Sequence, residues 1–203
     1  MILFDIDRWL MRRARQGDPE AFGRIYDRHS RQVFHLLRRL TGDDRSQAED
    51  LTQETFVAAY QALPDWRGEG KLSTWLCGIA YRRYASSRRR QIPQEPWDDT
   101  LPIAAPNADP LLLCTGHQME TALEEAIAAL PERAREAFVL VRVEGMRYRD
   151  AADLLQIPLG TLQSRLGRAT LLLRDRLAAY LPDTAGQPSA VRPAEGETNH
   201  AVR

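Results

Sequence analysis

The sequence is poor in the residues that build disulfides and metal sites, and it has no long apolar run. Only two of its 203 residues are cysteines, Cys77 and Cys114, and they stand far apart. Two distant cysteines give neither a zinc-ligand spacing nor a disulfide framework, so we expect reduced thiols in a cytoplasmic setting. No apolar run approaches the roughly 20 residues that cross a bilayer. The first residues carry charges throughout and lack the apolar core of a signal peptide.

An excess of either charge is also missing. The chain has 28 Lys+Arg and 28 Asp+Glu, so its formal net charge is +0. A nucleic-acid-binding chain without net charge must keep its basic residues in local clusters. Lys71 is the only lysine, and the other cations are arginines, whose planar guanidinium suits bidentate contact with phosphate or guanine. Genome base composition would produce the same arginine excess.

Signals of enzymatic chemistry are missing as well. The four histidines, His29, His35, His117 and His200, form no i, i+4 pair and no ligand set with the cysteines. There is no phosphate-cradling glycine loop and no nucleophile elbow. We therefore expect no enzymatic activity, no metal or other cofactor, and no small-molecule substrate.

The stretch 146–181 predicts two helices joined by a tight turn. The first covers Tyr148 to Leu155, Pro158 and Gly160 interrupt the helical pattern, and Thr161 opens the second helix. Apolar residues on one face of the second helix recur every three or four positions: Leu162, Leu166, Ala169, Leu173 and Leu177. The other face is polar and cationic, with Gln163, Ser164, Arg165, Arg168 and Arg174. This is the helix-turn-helix plan, whose second helix enters the major groove. A helical hairpin with no DNA role would pack in the same way.

The first half predicts three helices. Asp18-Pro19-Glu20 opens one that runs to Thr41-Gly42. A capping box of Ser46 and Glu49 starts another, which runs to about residue 63, and Ser73 caps a third from 74 to about 90. Residues 91–116 contain five prolines and little helical period, so they predict an extended linker. The fold class is thus all-α: helical domains at 1–90 and 119–181, a flexible linker at 91–118, and a disordered tail at 182–203.

Two helix surfaces in the first half suit macromolecular partners. The third helix ends in interleaved aromatic and basic residues, namely Tyr81, Arg82, Arg83, Tyr84, Arg88, Arg89 and Arg90. Rings that stack on unpaired bases, beside guanidiniums that follow the backbone, favour single-stranded nucleic acid. A basic helix end that complements the macrodipole is the alternative. The second helix has a polar face with Asp50, Gln53, Glu54 and Gln61, for which solvated surface is the default interpretation.

Three stretches resemble the extracytoplasmic-function (ECF) group of RNA polymerase sigma factors. The stretch LQIPLGTLQSRLGRA is similar to their helix-turn-helix, through Ile157, Pro158, Gly160, Thr161, Ser164, Arg165, Arg168 and Ala169. The stretch AEDLTQETFVAAYQAL resembles their helix that docks on the polymerase clamp, through Asp50, Leu51, Gln53, Glu54 and Phe56. The loop and helix at 64–90 resemble the element that recognises and melts the minus-ten region of the promoter.

The resemblance implies a function and a set of contact residues. It implies an ECF-type sigma factor that binds core RNA polymerase, through its clamp and flap regions, and directs promoter-specific initiation. It implies contact with the clamp by Asp50, Gln53 and Glu54, with Leu51 as either a contact or a core residue. It implies recognition of the duplex minus-thirty-five element by Thr161, Gln163, Ser164, Arg165 and Arg168. For the melted minus-ten strand it implies Trp66, Arg67, Lys71, Leu72, Ser73, Tyr81, Arg82, Arg83, Arg88 and Arg89. Gly167 is expected to leave a gap beside the bases.

The resemblance also implies a regulatory partner and carries two departures. Members of the group are typically held inactive by an anti-sigma factor, which would allow sequestration at the membrane. Arg82 and Ser86 replace an asparagine and an aspartate of the family pattern, and Arg147 replaces a serine that would cap the first helix of the helix-turn-helix. The rival interpretation is a helix-turn-helix regulator that acts at an operator without joining the polymerase. Such a regulator has no need of a clamp helix and a melting helix.

Overall fold

The computed structural model describes residues 2–66, 68, 70–91 and 117–178. In these ranges every regular element is a helix, so the all-α prediction is confirmed. The α-helices are α1 (Ile2–Arg15), α2 (Pro19–Leu40), α3 (Arg45–Gln61), α4 (Leu72–Gln91), α5 (His117–Ala128), α6 (Glu132–Phe138), α7 (Tyr148–Leu155) and α8 (Leu159–Leu177). A short 3-10 turn covers Leu63–Asp65, and a π-helical segment, Val139–Val143, continues α6. Most of the predicted linker and the whole predicted tail lie outside the described residues.

Helix α2 begins and ends where the sequence predicts. The Asp18 carboxylate accepts hydrogen bonds from the backbone N–H groups of Glu20 at 3.0 Å and Ala21 at 3.3 Å, and Pro19 is the first helical residue. Such a cap satisfies amides that have no partner inside the helix. The helix ends at Leu40, and Gly42 follows with a left-handed φ of +72°. Its apolar face is buried and packs against α1, α3 and α4.

The starts of α3 and α4 correct the sequence analysis. Asp44 caps α3, because its carboxylate accepts from the backbone N–H of Gln47 at 3.0 Å. The predicted capping box is therefore wrong: Ser46 lies within the first turn, and Glu49 instead accepts a hydrogen bond from Arg45 at 2.8 Å. Helix α4 already begins at Leu72, so Ser73 also lies inside the helix instead of capping it.

The helix-turn-helix is present, with a turn that differs from the expected one. Helix α7 has the predicted bounds and, as expected, no side-chain cap at Arg147. Helix α8 begins at Leu159, two residues before the predicted start at Thr161. Pro158 is its N-cap residue. Gly160 lies in the first turn of α8 and has no left-handed φ. The left-handed residue of the turn is Gln156, with φ +57°, directly after α7.

Two features of the packing were not predicted. Helix α1 was not foreseen, and it buries Leu10, Met11 and Ala14 against the rest of the fold. The N-terminal helices (α1–α4) and the C-terminal helices (α5–α8) also pack against each other, since α2 contacts α5 and α6 while α4 contacts α7. Their buried apolar residues form one continuous cluster. Among the described helices, none is long and apolar enough to cross a membrane.

Candidate polymerase and promoter interface

Three of the four predicted clamp contacts lie together on the surface of α3. Asp50, Gln53 and Glu54 are exposed, and their spacing of three to four residues puts them on one face. Leu51 is buried in the core together with Phe56. The sequence left Leu51 open between core and contact, and the structure places it in the core.

An exposed apolar patch continues this acidic face and was missed by the sequence analysis. Val57 and Tyr60 of α3 and Tyr26 of α2 are exposed, Tyr60 by 52%. The Tyr60 ring packs edge-to-face on Phe22 with centroids 5.0 Å apart, and the Tyr26 ring packs in the same way on Phe56 at 4.7 Å. The helical period puts Tyr26 and Tyr60 on the apolar faces of α2 and α3, but the period alone does not distinguish the exposed rim of such a face from its buried centre.

The loop between α3 and α4 is held against α1. Arg15 donates hydrogen bonds to the carbonyl oxygens of Pro64 and Trp66, each at 3.3 Å, and Arg8 donates to that of Gly68 at 3.3 Å. The Trp66 side chain is only 8% exposed, and its Nε1 has no acceptor among the described residues. Arg67, a predicted contact, lies outside the described residues. Helix α1 therefore supports the loop that the sequence singled out.

Two adjacent cavities flank this loop. One has a volume of about 390 Å³ and brings together the predicted residues Trp66, Lys71, Leu72 and Ser73. Its other walls come from α1 and α2 and include Asp7, Arg8, Arg28, His29 and Gln32. The second cavity, of about 510 Å³, is lined by Trp66 and by three arginines that follow one face of α1, Arg8, Arg12 and Arg15. The predicted loop residues thus converge on a concave, mainly cationic surface.

The basic and aromatic end of α4 is divided between two faces. Arg82, Arg83 and Arg89 are exposed, as predicted for a nucleic-acid surface. Tyr81 and Tyr84 were expected on the same surface but are 7% and 1% exposed. Arg88, half-buried, is paired with Glu132 of α6. The structure therefore separates the exposed arginines from the two tyrosines.

The recognition-helix candidates also differ in exposure. Gln163 is exposed, and Thr161, Ser164 and Arg168 are half-buried. Arg165 is 6% exposed, so it does not lie on the open surface of α8 where the sequence put it. Gly167 is buried as well, which corrects the expectation of an open gap at that position.

Burial and ion pairing shift several pKa values where α4, α6 and α8 meet. Burial raises the pKa of Glu136 to about 7, and the nearby Glu132 carboxylate adds to the shift. Arg165, Arg135 and a hydrogen bond from Tyr81 oppose it. The pKa of Glu132 is lowered, mainly because Arg88 donates to it. Burial, followed by the charge of Glu136, raises the pKa of both Tyr81 and Tyr84.

Comparison with known proteins assigns both halves of the chain to sigma-70 regions. The family model for Sigma-70 region 2 matches residues 25–92, and that for Sigma-70 region 4 matches residues 120–173. The ECF RNA polymerase sigma-E factor of Haemophilus influenzae is 31% identical over 184 residues, which cover 84% of this chain and 95% of the relative. The RNA polymerase sigma-H factor of Pseudomonas aeruginosa is 29% identical over 185 residues, which cover 83% and 92%.

A solved structure supports the fold. The sigma factor RpoE of Bartonella quintana, solved in complex with the anti-sigma factor NepR, superposes with a TM-score of 0.58 at 23% identity. The match covers 77% of this chain and 96% of that one. The relative that is 31% identical over nearly its whole length, together with the two family-model matches, shows that the chain belongs to the ECF sigma factors, the transcription initiation factors that bind core RNA polymerase and direct it to promoters.

Proposed function

We propose that this sigma factor binds the clamp of core RNA polymerase through the exposed face of α3. Asp50, Gln53 and Glu54 supply the polar contacts, and the neighbouring patch of Val57, Tyr60 and Tyr26 supplies apolar area. Aromatic residues beside a polar rim are typical of interface centres, whereas charges mainly set register and association rate. The observation that carries this proposal is the exposure of these six side chains, five on one face of α3 and the sixth, Tyr26, packed on Phe56 of the same helix.

Promoter recognition is divided between the two sets of helices. The N-terminal end of α8 enters the major groove at the minus-thirty-five element. The residues that contact bases and phosphates there are Thr161, Gln163, Ser164, Arg165 and Arg168. The loop and α4 hold the melted minus-ten strand, with the 390 Å³ cavity accepting an unpaired base beside Trp66, Lys71 and Ser73. Arg82, Arg83 and Arg89 follow the strand's phosphates, joined by Arg67, Tyr81 and Arg88. The corresponding domains are residues 1–90 and 119–181.

The remaining assignments follow from this role. The chain works in the cytoplasm, where it meets the polymerase, and it performs no catalysis of its own. Regulation by an anti-sigma factor is proposed because the superposed RpoE was solved with one. An anti-sigma factor anchored in the membrane would sequester the chain there.

The clamp assignment is tested by binding to purified core polymerase. We expect the triple variant Asp50→Asn, Gln53→Ala, Glu54→Gln to bind core enzyme roughly ten- to a hundredfold more weakly, because three rim contacts are lost together. Asp153→Asn is the control, since it neutralises an exposed carboxylate on α7. Fluorescence anisotropy without DNA measures the affinity. Equal affinity of the triple variant and the wild-type chain would exclude this face as the docking surface.

A further inference from the structure

Helix α1 has a cationic face that is not among the predicted contacts. Arg8, Arg12 and Arg15 follow one another at intervals of four and three residues, which puts them on one side of the helix over roughly 10 Å. All three are exposed. The cavity of about 510 Å³ is lined by these arginines together with Gln16, Trp66 and Gly68. None of the described residues in this lining is acidic, so the cavity attracts anions.

Two of these arginines also hold the neighbouring loop. Arg8 donates to the Gly68 carbonyl, and Arg15 donates to the carbonyls of Pro64 and Trp66, each at 3.3 Å. Carbonyl oxygens carry no net charge, so these bonds do not neutralise the guanidiniums. Among the residues that the structure describes, Arg12 lines the cavity without donating to the loop. A substitution of Arg12 therefore changes the charge of the face while the loop keeps its anchors.

Trp66 lies between this cavity and the one proposed for the unpaired base. It lines both cavities, as does Arg8. The Trp66 side chain is 8% exposed, and its indole Nε1 has no acceptor among the described residues. A buried donor without a partner costs free energy, and phosphate oxygens are strong acceptors. Because the cavities share a wall, a strand with a base in the smaller cavity reaches the larger one with its next phosphate.

We propose that Arg8, Arg12 and Arg15 form a phosphate-binding site for single-stranded DNA. The site holds the strand's backbone next to the nucleotide whose base occupies the 390 Å³ cavity, and Trp66 separates that base from the phosphate. Arg8 and Arg15 both position the loop and face the strand, whereas Arg12 only faces the strand. This inference rests on the proposed role of the loop in holding the melted strand.

The salt dependence of DNA binding counts the phosphate contacts. For single strands, the logarithm of the binding constant falls with the logarithm of the salt concentration, at a slope of about −0.7 for each phosphate contact. The probe is a fluorescein-labelled pool of random single strands of about 20 nucleotides, and anisotropy follows binding between about 25 and 150 mM NaCl. Arg12→Gln is expected to reduce the size of the slope by about 0.7 and to bind roughly three- to tenfold more weakly at the lowest salt. Arg12→Lys keeps the charge and should retain the wild-type slope.

Two controls separate a phosphate site from a general effect of charge. Arg24→Gln removes the same charge from an exposed position on α2 that lines neither cavity, and it should follow the wild-type chain. A double-stranded pool of the same length is titrated in parallel, and Arg12→Gln should weaken its binding by less than about twofold, because the site continues from a cavity for an unpaired base. Circular dichroism verifies that each variant is folded.

The outcomes separate this inference from the proposed function. Equal slopes of the wild-type and Arg12→Gln chains, or an equal loss in Arg24→Gln, overturn the phosphate site, and so does a wild-type chain that shows no salt-dependent binding. An equal loss on single-stranded and double-stranded DNA overturns the assignment to a single strand. Arg12→Gln is expected to leave the affinity for core polymerase unchanged. Failure of the wild-type chain to bind core polymerase or to start transcription refutes the proposed function, whatever the salt slopes are.

Discussion

Glu136 makes the stability of the chain dependent on pH. It lies partly buried on α6, next to Glu132 and Arg135 of the same helix. Tyr81 of α4 and Arg165 of α8 are its other charged or polar neighbours. Its pKa is raised from 4.5 to about 7, chiefly by burial. Because the folded chain holds this proton more tightly than the unfolded chain, the contribution is stabilising below pH 4.5 and is lost as the pH rises through 7.

The magnitude follows from the two pKa values. A shift of one pKa unit corresponds to about 1.4 kcal/mol, and the linkage relation gives a loss of about 2 kcal/mol of unfolding free energy between about pH 5.5 and pH 8. Glu136→Gln keeps the shape and removes the titration. We therefore expect the variant to lose about 2 kcal/mol less than the wild-type chain over this range.

Urea unfolding at the two pH values, followed by circular dichroism, measures the difference. Burial and the charge of Arg39 lower the pKa of His35, but its contribution is the same in both chains and cancels when variant and wild type are compared. Glu125→Gln, an exposed glutamate on α5, is the control and should follow the wild-type chain. Equal pH dependence of the Glu136→Gln and wild-type chains would show that the Glu136 carboxyl is not held protonated by its surroundings.

Three further predictions concern the helix cap, the core and the recognition helix. Asp44→Ala should lower the unfolding free energy by about 1 kcal/mol in urea unfolding, and Ser46→Ala by less than about 0.5 kcal/mol, because only Asp44 caps α3. A larger loss for Ser46→Ala than for Asp44→Ala would show that Ser46 is the cap. Leu162→Ala should lower the unfolding free energy by about 2–5 kcal/mol in the same assay, because this fully buried side chain joins α8 to the core. A smaller loss would mean that the neighbouring side chains close the cavity that the substitution leaves. Arg168→Ala should weaken promoter binding of the holoenzyme by about 1–3 kcal/mol without changing affinity for core enzyme, and unchanged promoter binding in a gel-shift titration would exclude a base contact.

The sequence predicted the helices that have both a periodic apolar face and a local start signal. Asp18 and Pro19 fix the start of α2, and Gly145 ends the segment before α7 with a left-handed φ of +66°. The predicted start of α3 was wrong because Asp44 and Ser46 are both possible caps, and local spacing does not decide between them. Helix α1 was missed because arginines interrupt its short apolar pattern.

The candidate site was predicted less completely than the fold. Local pattern identified α3, α4 and α8 and put Asp50, Gln53 and Glu54 on one face. It did not predict that Tyr81 and Arg165 are buried, because their burial depends on packing among α4, α6 and α8, which are distant from one another in the sequence. Exposure of such residues is a property of the tertiary arrangement, which no periodicity within one helix specifies.

Transcription with purified core RNA polymerase tests the central claim most directly. Core enzyme alone and core enzyme with this chain are compared on a library of genomic promoter fragments, and the 5′ ends of the transcripts are mapped. The account predicts discrete start sites that appear only with the chain and weaken with the Asp50→Asn, Gln53→Ala, Glu54→Gln variant. The account is contradicted if core enzyme does not bind the chain and no start site depends on it.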